Sequence, residues 1–213
     1  LFQIDKSPGF DLLDSGQRLN VGTRFSAEDD DGRSASALVG RSFRAEPDPD
    51  LPARTGLSRA LSDWVVAATF NPIRGVNLFT RMRLDSGDLG VNYLEAGADV
   101  STARADGQIR YLQEREDPDG LPVQDLDIHG EIFFLKHWGV SAYAAREFQT
   151  GVWREADFGL VYKDECVRIE ILYDHNQTTN GVLGPSQGVS FRLSLATLGN
   201  SGYAQPRELV PSP

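Results

Sequence analysis

The sequence is poor in the residue types that carry most protein chemistry. It has one cysteine, one methionine and three histidines among 213 residues. The single cysteine, Cys166, cannot form a disulfide within the chain. Basic residues are also few, with 21 Lys and Arg against 31 Asp and Glu, so the net charge is −10. Because nucleic-acid phosphates need a basic surface, this balance argues against a nucleic-acid partner.

Long hydrophobic runs are missing as well. No stretch approaches the roughly 18 consecutive apolar residues that a membrane helix needs. Hydrophobic residues still make up 40% of the chain, which is typical of a folded protein. A β-barrel stays possible, because its strands alternate apolar and polar residues. Leu1 is neither an initiator methionine nor part of a signal peptide, so we expect a cut or processed start.

Alternation with a period of two dominates the chain from residue 17 onward. In 189–195, Val, Phe, Leu and Leu face one way and Ser, Arg and Ser the other. Segments 156–163 and 167–174 follow the same rule. The pattern predicts about eleven strands, near 17–27, 32–44, 62–71, 75–85, 88–104, 107–115, 126–136, 138–148, 151–163, 166–174 and 187–198.

The connections between these strands fall into two kinds. Segments 28–32, 71–75, 105–107 and 163–165 have the composition of tight turns. Three longer connections, 45–61, 116–125 and 175–186, all follow even-numbered strands. Short turns at one end and long loops at the other are typical of outer-membrane barrels, on the periplasmic and extracellular sides respectively.

Aromatic residues cluster near the predicted strand ends. They either form the two aromatic girdles of a membrane barrel or reflect the ordinary preference of aromatic residues for strands. These residues are Trp64, Phe70, Trp138, Trp153, Tyr162 and Tyr173.

Together the patterns predict an all-β fold, an antiparallel transmembrane β-barrel. Eleven is an odd number, whereas bacterial single-chain barrels have an even one, so we expect the carboxy-terminal portion of a larger barrel. Asp157, Arg168, Glu170 and Arg192 are predicted to face the lumen. On the opposite face, we expect lipid contacts from Phe158, Leu160, Ile169, Ile171, Phe191 and Leu193.

The last predicted strand also carries a candidate assembly signal. Ser186, Gly188, Phe191 and Leu193 fit the pattern polar-Xaa-Gly-Xaa-Xaa-aromatic-Xaa-hydrophobic, by which the barrel-assembly machinery recognises a terminal strand. Recognition would work by strand addition, with backbone pairing and alternate side chains giving selectivity. The alternative is a strand that fits a loose pattern by chance.

No catalytic or cofactor-binding set stands out. His129, His137 and His175 are far apart and match no zinc motif. Asp174-His175 could form a protease-like dyad or simply begin an exposed loop, and the acidic 28–32 segment could bind a cation or be a solvated turn. We predict no enzymatic activity, no cofactor and no metal.

An ordered set of short segments resembles the LptD family of lipopolysaccharide-assembly proteins. The segments follow one another in register over nearly the whole chain: Leu1–Asp11, Gly16–Asn20, Gly40–Arg44, Thr55–Ser58, Leu61–Val65, Arg81–Asp85 and the Tyr-Xaa-Asp-Glu-Cys turn Tyr162–Cys166.

This resemblance implies residence in the Gram-negative outer membrane and a role in lipopolysaccharide transport. Residues 1–198 would belong to the barrel and 199–213 would form a periplasmic tail. The implied partners are lipopolysaccharide, an LptE-like plug lipoprotein, an LptA-like periplasmic bridge protein and the barrel-assembly machinery. The lipid would leave sideways between the first and last strands of the barrel, where two edge strands meet.

Cys166 would lie at the periplasmic rim of such a barrel. An unpaired thiol is unlikely to persist in that oxidising compartment. We therefore expect a disulfide from Cys166 to an upstream domain; the alternative is a small buried hydrophobic residue.

The sequence is also compatible with two other functions. The chain could belong to another outer-membrane barrel, such as a porin or an autotransporter-type translocator. A soluble β-sandwich binding module is the alternative from a different class.

Overall fold

A computed structural model describes residues 17–49, 51–116, 120–177 and 184–195. It contains eleven strands and one short 3-10 helix, Ala53–Thr55. The strands are β1 (Arg18–Glu28), β2 (Ser34–Arg44), β3 (Trp64–Ile73), β4 (Val76–Leu84), β5 (Val91–Ser101), β6 (Ala105–Glu114), β7 (Val123–Phe133), β8 (Trp138–Glu147), β9 (Trp153–Lys163), β10 (Val167–Asn176) and β11 (Ser186–Leu195). The predicted all-β fold and its eleven strands are thus confirmed.

The strands form a single sheet whose order is the chain order, β1 to β11. Neighbouring strands pair in antiparallel fashion, from β1 with β2 to β10 with β11. A β-sandwich needs two sheets packed face to face. The one consecutive sheet of the described chain is therefore the arrangement of an up-and-down barrel rather than a sandwich.

The chain forms two compact units: residues 1–100 with 109–126, and residues 101–108 with 127–213. In the first unit, connections 45–63, 85–90 and 115–122 follow even-numbered strands, whereas 29–33 and 74–75 follow odd-numbered ones. In the second unit, 148–152 and 177–185 follow even-numbered strands, whereas 102–104, 134–137 and 164–166 follow odd-numbered ones. In each unit the long connections thus leave one end of the strands. We call this the long-connection end, and the other the short-connection end.

One predicted turn was misplaced. Residues 105–107 lie in β6, and the turn is three residues earlier, at 102–104. The Thr102 backbone N–H donates to the carbonyl of Ala105 at 2.7 Å, and the Ala105 N–H donates to the Thr102 hydroxyl at 3.0 Å. Gly107 serves close packing instead, because a Cβ there would lie 2.8 Å from the His129 carbonyl oxygen.

In the part of the chain that the structure describes, no helix is long and apolar enough to cross a membrane.

Candidate functional site

The strand register sorts the side chains onto two chemically opposite faces. Paired residues of an antiparallel sheet share a face, and alternate residues point to opposite faces. In the second unit, Leu160 pairs with Ile171, and Ile171 pairs with Phe191. In the first unit, Phe70 pairs with Leu78. In each unit we call this side of the strands the apolar face and the opposite side the polar face.

The apolar face is the exposed one. Phe158 is 60% exposed and Phe191 66% exposed in the second unit, and Phe25 is 66% exposed in the first. The polar face holds buried charges instead, with Glu170 only 4% and Glu95 only 7% exposed. This polarity is the reverse of a water-soluble domain, in which apolar side chains are inside and ionised ones outside.

The polar face of the second unit carries a chain of ion pairs that ends on the last strand. The guanidinium of Arg168 donates to both carboxylate oxygens of Glu131, and its Nε donates to Glu170 at 3.0 Å. Arg192 donates to the other oxygen of Glu170 at 3.1 Å. Four charges of alternating sign, Glu131, Arg168, Glu170 and Arg192, thus connect β7, β10 and β11. We call them the charge chain.

Small residues lie on the polar face between the strands that the charge chain connects. Glu131 and Arg168 are three strands apart in the sheet order, about 14 Å at the usual strand spacing. On the intervening strands β8 and β9, the polar face carries Gly139 and the pair Ser141 and Gly159. A Cβ on Gly159 would lie 2.4 Å from a Leu172 methyl group and 2.9 Å from the Ile171 carbonyl oxygen.

A separate polar cluster lies on the polar face of the first unit. Buried Glu95 accepts from Arg81 at 2.9 Å and from the Tyr93 hydroxyl at 3.2 Å. Arg110 approaches the second oxygen of Glu95 at 3.8 Å. The buried carboxylate of Glu95 thus has two guanidinium groups and a hydroxyl as partners on the polar face.

The 45–63 connection folds over the long-connection end of the first unit. Asp63, which is buried, accepts from Asn92 at 2.9 Å and approaches Arg83 at 3.5 Å. A cavity of about 210 Å³ lies beside it, lined by Arg54, Arg59, Arg83, Arg115, Asp63, Asp85 and Glu116, among others. Backbone N–H groups of Gly87 and Asp88 hold the pKa of the Asp85 carboxyl below its ordinary value.

The four residues predicted to face the lumen all lie on the polar face. Arg168, Glu170 and Arg192 meet in the charge chain. Asp157 lies apart from them, paired with Tyr143 on one side and Asp174 on the other. Their common face agrees with the prediction; that it lines a lumen stays a prediction.

The assembly-signal residues divide between the two faces of β11. Ser186 and Gly188 are on the polar face, paired with Asn176 and Asp174. Phe191 and Leu193 are on the apolar face and are exposed. Among the described strands, β11 is the last in the sheet order. The backbone groups on the outer edge of such a strand can pair with another strand.

Cys166 is exposed in the turn 164–166 between β9 and β10. Its backbone N–H donates to the Asp164 carboxylate at 2.8 Å, and the Val167 N–H donates to the same oxygen at 2.8 Å. These two bonds hold the pKa of the Asp164 carboxyl below its ordinary value. The exposure of Cys166 in this turn argues against a buried hydrophobic role, and its disulfide to an upstream domain stays a prediction.

The structure brings no catalytic or metal-binding group together among its described residues. Asp174 and His175 point to opposite faces, since Asp174 pairs with Gly188 and His175 with Gln187. They therefore cannot form a dyad with each other. The described ranges also contain no cluster of three or more His, Cys, Asp or Glu that could hold a metal ion.

The sequence analysis missed two arginines on the apolar face. Arg41 on β2 lies against the rings of Phe43 and Trp64, with its Cζ 5.6 and 4.7 Å from their centroids. Arg146 on β8 lies likewise 5.1 Å from Phe148 and 5.3 Å from Trp153. The signal was present as an Arg-Xaa-Phe repeat ending an even-numbered strand, followed by a Trp that opens the next strand.

The comparison with known families identifies the chain. The family LptD, described as LPS transport system D, matches residues 1–142. No curated protein matches the sequence. The family match covers two thirds of the chain and agrees with the antiparallel all-β sheet. The chain belongs to the LptD family of lipopolysaccharide transport proteins.

Proposed function

We propose that this chain is the barrel part of the outer-membrane translocon that inserts lipopolysaccharide into the outer leaflet. Membership of the LptD family supports transport and assembly of lipopolysaccharide, rather than catalysis, at the Gram-negative outer membrane. The observation that carries the proposal is the reversed polarity of the sheet. A face of exposed Phe, Leu and Ile suits lipid, and a face of paired charges suits a wet lumen.

The path of the lipid follows from the same two faces. Lipopolysaccharide has acyl chains and a phosphorylated, sugar-rich head. The acyl chains would contact apolar surfaces, while the head would pass along the polar face, where the half-exposed Arg192 offers hydrogen-bond donors. Sideways release requires a seam between two edge strands, and β11 supplies one such edge. An LptE-like plug and an LptA-like bridge are the partners that this role would need.

The terminal residues extend the proposal. We assign 1–198 to the barrel and 199–213 to a periplasmic tail; residues 196–213 lie outside the described part of the structure. Arg33 and the short turns would then face the periplasm, and the cavity beside Asp63 would face the cell exterior.

A lipid-soluble label on single cysteines tests the proposal. In a background in which Cys166 and any cysteine upstream of this chain are replaced by serine, the full-length protein would carry one cysteine at Phe158, Ile171 or Phe191, or at Asp157, Glu170 or Arg192. Cells would be treated with a membrane-confined maleimide. We expect labelling of the first three positions only, because they are on the apolar face.

A second arm tests transport itself. A photo-crosslinking amino acid would replace Arg192 or, as the control, Phe158, in cells making lipopolysaccharide. We expect crosslinks to lipopolysaccharide at Arg192 that disappear when lipid supply is stopped. Equal labelling of both faces would contradict the barrel, and crosslinks that do not depend on supply would contradict the translocon. A porin would show the labelling without the crosslinks.

A further inference from the structure

Two arginines on the apolar face have the same surroundings in different units of the chain. Arg146 pairs directly with Trp153, the first residue of β9. Arg41 follows Gly40, which pairs with Val65, and so lies across from Trp64, the first residue of β3. In both places the ring of a Phe two residues further on also lies against the guanidinium. We call Arg41, Phe43 and Trp64 the first triad, and Arg146, Phe148 and Trp153 the second triad.

Both triads break the polarity rule of their face. Arg41 pairs with Val21, and two residues further on Phe43 pairs with Leu19. Ala144, on the same side of β8 as Arg146, pairs with Ala156. The free-energy cost of placing an arginine on the lipid-facing side of a barrel is high in the hydrocarbon core and small near the membrane interface. Both arginines lie near the long-connection end of their strand, the place where an interface is expected.

The guanidinium groups keep unused hydrogen-bond donors. Arg41 donates through Nη2 to the Ser62 carbonyl at 2.8 Å. The Nε atoms of Arg41 and Arg146 are buried and have no hydrogen-bond partner among the described residues. No carboxylate in the described ranges forms an ion pair with either arginine. Both side chains are partly exposed. Each triad therefore presents a positive charge, held by aromatic rings, that no acid of the described chain neutralises.

We propose that each triad binds a phosphate of a lipid in the leaflet around the long-connection end. Arginine suits phosphate because its planar group donates several hydrogen bonds at once. The Trp and Phe rings fix the guanidinium by cation–π contact and are themselves suited to the headgroup level. The occupant would be a phosphorylated lipid that surrounds the protein, distinct from the lipid under transport. The inference rests on the membrane orientation of the proposed function.

Lipid retention by the full-length protein tests the inference. The protein, purified with its natural partners, would be placed in nanodiscs of phosphatidylethanolamine containing either phosphorylated lipid A or lipid A treated with phosphatase. Lipid that stays bound after extraction would be counted by native mass spectrometry. We expect a preference for the phosphorylated lipid of about tenfold, the gain typical of a few charge-assisted hydrogen bonds.

Variants of the two arginines distinguish the loss of positive charge from a failure of the protein to fold. Arg41→Ala and Arg146→Ala should each reduce the preference, and the double variant should abolish it. Arg41→Gln with Arg146→Gln keeps the side-chain size and should have the same effect if the Ala variants fail to insert. Arg74→Ala is the matched control, because Arg74 is an exposed arginine in the 74–75 turn at the short-connection end. It should behave as the unmodified protein.

Three results would overturn the inference. The double variant could keep the full preference, the dephosphorylated lipid could bind equally well, or inorganic phosphate could displace the lipid, which would make the triads general anion sites. In each case the protein would still insert, so the proposed function would stand. Failure of the unmodified protein to insert at all would instead contradict the proposed function.

Discussion

At the scale of single residues, Glu170 is the central member of the charge chain. It is nearly fully buried and accepts from Arg168 and Arg192. Removing Glu170 would take an acid away from both Arg168 and Arg192, and an incompletely compensated buried charge costs more than the intact pair contributes. Arg192 lies at the other extreme, because nearly half of its side chain is exposed and its removal leaves Glu170 still paired with Arg168.

Glu170→Ala should therefore destabilise the protein far more than Arg192→Ala. We expect a loss of about 3–5 kcal/mol for Glu170→Ala and about 0–1 kcal/mol for Arg192→Ala. The free energy of unfolding would be measured by urea titration of the protein in detergent, with folded protein detected by its heat-modifiable mobility. Equal losses for the two variants would show that burial does not determine how much each charge of the charge chain contributes to the free energy of unfolding.

Cys166 gives a second prediction at this scale. We expect a disulfide to a cysteine outside these 213 residues, which would stabilise the protein by about 2–4 kcal/mol. The full-length protein should migrate differently from Cys166→Ser on a non-reducing gel, and identically after reduction. A matched control moves the thiol by one position, with Glu165→Cys and Cys166→Ser combined. Equal migration, together with rapid maleimide labelling of Cys166, would contradict the disulfide.

At the scale of elements, the sequence predicted the strands better than their contacts. Alternation identified all eleven strands, because the two faces of each strand are in different environments and carry different residue types. It failed at 105–107, where Asp106 and Gly107 have the composition of a turn but Thr102 forms the turn instead. The ion pair of Arg168 with Glu131 could not be predicted, since it depends on register across three strand pairings. The triads were missed because an arginine on the apolar face contradicts the alternation on which the prediction relied.

The last strand gives the prediction at this scale. We expect Phe191→Ala and Gly188→Asp to slow insertion into the outer membrane. The barrel-assembly machinery would bind β11 by strand addition and contact side chains on both faces of this strand. Gly188→Asp would also bring a second carboxylate towards Asp174, whose oxygen lies 3.3 Å from the Cβ position of Gly188. Surface levels would be followed by pulse-chase labelling. Val189→Ala, an exposed residue outside the pattern, is the control. Normal insertion of both variants would count against the signal.

At the scale of the whole molecule, the unequal connections predict an orientation. The 148–152 connection lies at the long-connection end and the 134–137 turn at the short-connection end of the same unit. Gly151 has open space around its Cβ position, so an epitope inserted there meets no neighbour. We expect antibody to label intact cells with a tag in 148–152 and not with a tag in 134–137. Labelling of the second tag alone would reverse the orientation.

The consecutive strand order has a consequence for how the protein folds. Every described pairing joins strands that are adjacent in sequence, so the contact order is low. Most steps close only a short loop, and 45–63 is the longest connection. Growth can then proceed hairpin by hairpin, and the register of each new strand is set by the turn before it. A partly grown sheet always exposes a free edge. The vulnerable period of folding is therefore the interval in which an edge is unpaired, when a chaperone has most to protect.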